Sequence, residues 1–445
     1  MTSPTTAADP AQRTYDAGPA GSSRFSLALP TNDTSSQDAR PLLLVLGLPT
    51  FGLAFAITIL TTYGPSVLTS HGLSPATVGA LIGGEGAFAL VVPLFAGALS
   101  DRLPASTPSG RRMPFVFLGA PMVGTGLVLL PFAPAYQLAG LMILIFFIGY
   151  YLYYPPYRAI YADLLPKRLL PRAQSSQAIF RGAGLGVALI SGGLFLSVWT
   201  PLPFVLGGAV LGVTTLALKP VLRLQKVVGP VVTDPDDEDE EQVSARELFL
   251  RNRPLQIFVA ANALWEFSFA GLKVFIVLYI THGLGHSKNL ASAVITIVAV
   301  AYVIGAPIAG RAAERWGIVR VMEVAALSYG LILCAAVLAR SVPPMLIALP
   351  VGALAGAILM TLPQALAFTL APEGAQGAAA GLVDFSRGIG VVLGPVLVGA
   401  AVSACTHFSF FSHTHGYAVM WGVIGVPNLL SLLLLRMLRP ARAEG

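Results

Sequence analysis

The chain has 445 residues, 55% of them hydrophobic and only 11% charged, with a formal net charge of +6. Soluble globular domains carry about 25% charged residues, so this composition excludes a water-soluble globule and leaves an integral membrane protein. Two cysteines, Cys334 and Cys405, are too few for a disulfide framework.

Residues 1–40 are rich in Ser, Thr, Pro and Ala and contain no apolar core segment, so a disordered tail is expected there rather than a signal peptide. From residue 41 onward, apolar windows of roughly 20 residues recur, each enough to cross about 30 Å of hydrocarbon. The windows predict twelve helical spans at 42–63, 76–99, 114–133, 136–157, 174–197, 201–219, 255–280, 289–310, 319–339, 343–370, 377–402 and 415–436. An acidic run, DPDDEDEE at 234–241, lies in the longest loop and divides the spans six from six. The expected fold is therefore all-α and membrane-integral: a first six-helix bundle at 41–219, a linker at 220–254, a second bundle at 255–437 and a tail at 438–445. The acidic run itself is expected to be a solvated linker.

Charge sets the orientation. With the N-terminus inside, 22 of the 27 lysines and arginines fall in the tails and inner loops and only Lys288 and Arg340 in outer loops. This positive-inside bias predicts that both termini are cytoplasmic, in a cell-membrane protein. The net positive charge then reflects topology and contact with anionic lipid. No basic patch interleaves with stacking aromatics, so nucleic acid is not an expected partner.

Ionisable residues inside the spans are costly, about 2.5–3.5 kcal/mol each on insertion scales, and mark functional sites by default. Glu85, in GGEGAF, falls about 14 Å into the second span, flanked by glycines that permit close approach of a neighbouring helix. It is a candidate proton site, or a buried acid paired with Arg181. The fourth span ends in YYLYYPPYRAIYADLLP (150–166), which crowds six tyrosines, three prolines, Arg158 and Asp163 into 17 residues. Tyr150, Tyr154, Tyr157 and Tyr161 form one helical stripe, read in part as an interfacial aromatic belt, and Pro155 and Pro156 are expected to kink or break the helix. In the seventh span, Asn262, Trp265 and Glu266 would suit a sugar, whose ring stacks on an indole while amide and carboxylate take its hydroxyls. Trp265 reads equally well as a core or belt aromatic. Lys273 shares the helix face of Glu266 two turns on. In the eleventh span Asp384 and Arg387, three residues apart, can pair with each other.

The halves repeat one another. GALSDR after the second span is matched by GRAAER after the eighth (Gly97 and Gly310), FRGAG in the fifth by SRGIG in the eleventh (Arg181 and Arg387), and the end of the fourth span by that of the tenth (Pro156 and Pro363). The offsets are 213, 206 and 207 residues, nearly constant and in the same order. A duplicated six-helix unit joined by an inner linker resembles the major facilitator superfamily, whose two bundles rock about a site near the bilayer midplane. The stretch GALSDRLPASTPSGRRMPF (97–115) is similar to that superfamily's first inner loop. By that resemblance Asp101, Arg102, Arg111 and Arg112 form a latch on the inner face, with Glu314 and Arg315 of GRAAER as the second-half counterpart.

The narrower form S-D-R…G-R-R-x-P-F, together with R-A-x-x-A-D-L at Arg158–Leu164, resembles the plant sucrose transporters and their bacterial relatives in the glycoside–proton symport branch. The resemblance implies proton coupling at Asp163, with Arg158 and Arg172 in its charge network. No histidine lies in the first span. Glu85 and Arg181 join the coupling candidates, and Asn262, Trp265, Glu266, Tyr154, Arg387 and Asp384 the substrate candidates. The six histidines fall in predicted outer loops or, for His415, at the outer end of the last span, without Cys or acidic partners at ligand spacing, so no metal and no cofactor is expected. No phosphate-binding loop, nucleophile elbow or dinucleotide fingerprint is present, and an enzyme is not expected. The expected activity is proton-coupled uptake of a sugar or glycoside by a monomeric carrier. A proton-antiporting exporter shares the same features, and a non-transporting assembly or sensory protein shares the scaffold.

Overall fold

The computed structural model describes residues 40–102, 108–165, 169–221, 245–339, 341–372 and 375–438, so the expected N-terminal tail, most of the linker and the C-terminal tail lie outside it. Among the described residues, twelve helices are long and apolar enough to cross a membrane. Helices are the natural solution in hydrocarbon, because every backbone donor and acceptor is satisfied within the segment. In chain order they are α1 (Arg40–Ser70), α2 (Pro75–Arg102), α3 (Pro108–Leu129), α4 (Tyr136–Leu164), α5 (Leu170–Val198) and α6 (Leu202–Leu216). The second set is α7 (Arg253–Leu278), α8 (Lys288–Trp316), α9 (Ile318–Ala336), α10 (Pro343–Thr361), α11 (Gln376–Cys405) and α12 (Val419–Met437). A short helix, Ala245–Arg251, precedes α7.

The packing repeats as the sequence motifs do. In the first bundle α1 lies on α5 and α6, α3 on α4 and α6, and α2 on α4; in the second, α7 lies on α11 and α12, α9 on α10 and α12, and α8 on α10. Across the bundles α2 meets α11 and α5 meets α8, again a symmetric pair. These cross-bundle contacts run from the helix ends opposite the start of α1 and the end of α12, here the distal face, to about mid-depth, where Gly86 of α2 faces Gly388 of α11. At the distal face the free N–H of Ala76, in the first turn of α2, donates to Ser403 Oγ near the end of α11 at 3.0 Å. Gly79 of α2 faces the Pro395 carbonyl of α11, and Gly193 of α5 faces Ser292 of α8. Toward the face where α1 starts and α12 ends, the terminal face, one ion pair among the described residues joins the bundles, Arg158 to Asp384 at 3.4 Å.

Three local expectations change. α4 remains one helix through Pro155 and Pro156. The tenth span keeps its predicted bounds of 343–370 but is not one continuous helix: it is interrupted at Leu362, after which Pro363–Leu370 forms a separate helix whose first residue brings no N–H. The tyrosines of α4 are not a membrane-facing belt. Tyr153, Tyr157 and Tyr161 are buried, and Tyr157 and Tyr161 both donate to the Leu46 carbonyl of α1. Pro49 brings no N–H to the Val45 carbonyl, and the two phenols bond the next carbonyl along α1. Tyr157 also reaches Thr50 Oγ1 at 2.8 Å, and Tyr153 reaches Thr215 Oγ1 at 3.1 Å.

Candidate functional site

Charged side chains from both bundles meet in the space between them, arranged by depth. Counting 1.5 Å per residue from the terminal ends of their helices, Arg158 and Asp384 lie about 10 Å in, Arg181 and Arg387 about 16 Å, Glu266 about 20 Å, Glu85 about 25 Å and Lys273 about 30 Å. Four cations and three carboxylates thus form a ladder through the membrane interior. Arg158 is 43%, Asp384 59% and Arg387 46% exposed although all three stand between the bundles, so they line an open cleft and not a packed interface.

At the deep end, Glu85 is only 6% exposed. Its Oε1 accepts a hydrogen bond from the Tyr151 hydroxyl at a long 3.4 Å, and the Lys273 ammonium of α7 lies within Coulombic reach of both Glu85 and Glu266. In the middle, Glu266 Oε1 stands 4.0 Å from Arg387 Nε. Gly390 makes this possible: a Cβ there would sit 2.6 Å from Glu266 Cβ and 2.7 Å from the Ala263 carbonyl. Only a glycine lets α11 settle on α7 at that depth. On the facing bundle, Arg181 of α5 donates to the Tyr154 hydroxyl. Its guanidinium carbon lies 5.5 Å from the centre of the Tyr154 ring, and that of Arg158 lies 5.6 Å from the same ring. Tyr154 in turn stacks on Tyr150, with centroids 5.7 Å apart.

The structure redistributes several expected partners. Asp384 and Arg387 do not form the expected ion pair along one helix; each takes a partner elsewhere, Arg158 and Glu266 respectively, because those groups approach from facing helices with better reach than a neighbour three residues on. Glu85 is not paired with Arg181, whose partner is Tyr154. Trp265 is buried inside the second bundle and its indole N–H donates to Ser431 Oγ at 2.8 Å, so it offers no face to a sugar ring. Asn262 is likewise buried, donating to Ser386 Oγ at 2.7 Å. It serves the α7–α11 contact.

Asp163 lies away from the ladder, at the end of α4. Its carboxylate is held by Arg112 in a two-pronged pair, Nε to Oδ2 at 2.6 Å and a terminal nitrogen to Oδ1 at 3.2 Å. The expected partners differ: Arg158 binds Asp384 and Arg172 is exposed. Arg112 thus meets an acid as the latch motif implies, but the pair joins α3 to α4 within one bundle. The side chains of Asp101, Arg102 and Arg111 lie outside the described residues. Glu314 and Arg315 are exposed at the end of α8, with Arg315 over the Trp316 ring at 5.5 Å.

Two cleft residues escaped the sequence-based assignment of the site. Lys273 carried the signal for inclusion, a lysine inside an apolar span. Tyr151 did not: helical spacing sets it apart from the stripe of Tyr150, Tyr154, Tyr157 and Tyr161 but gives no reason to aim it at Glu85.

Removing either partner of a largely buried, charge-assisted pair costs about 2 kcal/mol. Arg112→Gln and Asp163→Asn are each expected to lower the apparent melting temperature by a few degrees, and the double variant by little more than either single. Additive losses in a double-mutant cycle would show that the two groups do not stabilise one another.

Known proteins fit this geometry. A family model described as Major Facilitator Superfamily matches residues 46–281 and again 258–445. No curated protein matches the chain significantly. Among solved structures, the inward-facing, unoccupied form of a bacterial homologue of the human lysosomal transporter Spinster is similar at a TM-score of 0.73 and 17% identity, covering 92% of this chain and 100% of that one. A variant of the nucleoside transporter NupG gives 0.69 at 14% identity over 90% and 100%. A variant of the peptide transporter POT gives 0.65 at 14% over 89% and 94%. At such identities the likeness is one of fold.

Proposed function

Because the chain belongs to the Major Facilitator Superfamily, and so is a membrane transporter of that type, we propose that it works by alternating access as a proton-coupled importer of a sugar-like solute. The observation that carries this reading is the charge ladder between the bundles: ionisable groups costly to hold in hydrocarbon face one another across an open cleft. Carboxylates, guanidiniums and the phenols of Tyr151 and Tyr154 supply donors and acceptors suited to a hydroxyl-rich solute. Glu85 is the group proposed to take up the proton, with Glu266 as the alternative, and Arg387, Asp384 and Tyr154 are proposed to contact the solute. The terminal face is the cytoplasmic one under the positive-inside bias. With the described cross-bundle packing running from the distal face to about mid-depth, the conformation is then the one open to the cytoplasm.

The test is uptake into proteoliposomes. Labelled glycosides should accumulate under an inward proton gradient and leak out when a protonophore is added. Downhill equilibration unaffected by the gradient would sink the coupling, and gradient-driven extrusion would make the protein an exporter.

A further inference from the structure

The repeat that relates Arg181 to Arg387 is obeyed by their surroundings, except at one position. Both arginines open an Arg-Gly-x-Gly sequence (Arg181, Gly182, Gly184; Arg387, Gly388, Gly390). The last glycine packs α5 against α1 just as it packs α11 against α7. A Cβ on Gly184 would meet the Phe51 carbonyl and lie 3.1 Å from Ala54 Cβ; a Cβ on Gly390 would meet the Ala263 carbonyl and lie 2.6 Å from Glu266 Cβ. Ala54 is therefore the structural counterpart of Glu266. In the second bundle that position gives Arg387 its carboxylate. In the first bundle it holds a methyl group.

Arg181 is left with the Tyr154 hydroxyl and ring, and among the described residues no carboxylate lies within ion-pair distance of it. One phenol accepts one of the five N–H groups of a guanidinium. Arg181 and Arg387 stand at equal depth on opposite walls of the cleft, within Coulombic reach of each other, where like charges repel. Counting the ladder with every group ionised, Arg158, Lys273 and Arg387 are balanced by Asp384, Glu85 and Glu266. One positive charge, that of Arg181, is in excess.

We propose that the missing carboxylate is brought by the solute: the transported compound is a monoanion, a hydroxylated carboxylic acid of the sugar-acid class, whose carboxylate sits between Arg181 and Arg387 and bridges the two bundles. The planar fork of a guanidinium matches a carboxylate better than it matches any neutral hydroxyl. With every group ionised, the excess of one charge matches a monoanion better than a phosphate dianion. Tyr154, whose hydroxyl accepts from Arg181, holds the guanidinium toward the cleft in addition to its contact with the solute. The inference rests on the cleft being the transport site and narrows the solute class assigned to it.

The experiment is equilibrium binding by calorimetry to the purified full chain, with glucuronate, galacturonate and gluconate as probes and glucuronate methyl ester as the uncharged control. At least one of the acids should bind. Glucuronate should bind at least about tenfold more tightly than its ester, the margin expected for charge-assisted hydrogen bonds. Arg181→Gln should remove that margin and Arg181→Lys should keep part of it. Ala54→Glu, which restores the carboxylate the repeat lacks, should weaken acid binding at least about tenfold while leaving thermal stability intact. Acid and ester binding equally, full acid binding in Arg181→Gln or in a stable Ala54→Glu, or no binding of any of the three acids would overturn the proposal.

The two readings fail separately. Gradient-driven uptake of an uncharged glycoside by Arg181→Gln would leave the importer standing without its anion site. Arg181-dependent acid binding without gradient-driven uptake would leave the anion site standing without proton coupling.

Discussion

Gly79→Val is expected to reduce transport by about two orders of magnitude while leaving the fold and solute binding in place. Gly79 lies where α2 meets α11 at the distal face; a Cβ there would run into the Pro395 carbonyl, 3.0 Å from its carbon and 3.4 Å from Gly399 Cα. All these atoms are backbone, so no side-chain rotation relieves the contact. Overpacking of this kind costs about 1–3 kcal/mol, and it applies only while the distal face is closed, because separating α2 from α11 removes it. At the upper end the ratio of distally closed to distally open protein falls by about a hundredfold. A carrier that seldom closes one side seldom completes its cycle. In a chain with Cys334 and Cys405 replaced by serine, Ala76→Cys should react slowly with a polar maleimide when Gly79 is present and quickly with Gly79→Val. Gly84→Val is the control, since nothing lies within 4 Å of a Cβ at that position of the same helix. Equal labelling rates with and without Gly79→Val would mean that this contact does not govern closure.

The architecture was legible because the membrane restricts it. Hydrocarbon thickness fixes the length of each span and penalises charge within it, so twelve apolar windows correspond to twelve helices, and the duplicated motifs at Arg181 and Arg387 correspond to duplicated packing. Depth was legible too: Glu85, Glu266, Asp384 and Arg387 were marked as intramembrane charges by position alone. Partners were not. The spacing of Asp384 and Arg387 predicts a bond along one helix, and only the approach of α4 and α7 reveals that each has a nearer claimant. Trp265 and Asn262 read as solute ligands by residue type, yet which side of α7 faces the cleft depends on where α11 and α12 pack. The sequence motif around Asp163 implied coupling; its geometry with Arg112 is that of a clamp between two helices.

That contrast leads to the second large effect. Glu85→Gln is expected to abolish accumulation driven by a proton gradient while sparing exchange of labelled for unlabelled solute. A group that loads and releases a proton once per cycle cannot be clamped by a cation throughout it. Asp163 is so clamped, with Arg112 at 2.6 Å, and Glu266 has Arg387 at 4.0 Å. Glu85 has no cation within ion-pair distance among the described residues, only the Tyr151 hydroxyl at 3.4 Å and the more distant field of Lys273. It also lies beside the α2–α11 contact, where Gly86 faces the backbone of Gly388, so a change in its charge is made at the surface that opens and closes. With one proton carried per solute, a gradient of two pH units can support about a hundredfold accumulation, since each unit is worth about 1.4 kcal/mol. Glutamine keeps the shape and an acceptor for Tyr151 but cannot titrate, so the accumulation ratio should fall to about one and lose its dependence on the gradient. Exchange at equal solute concentrations needs no net proton movement and should persist. If Glu85→Gln accumulates normally and Glu266→Gln does not, the proton resides on the carboxylate facing Arg387. Loss of accumulation in Asp163→Asn, with exchange and stability preserved, would return coupling to the α3–α4 clamp.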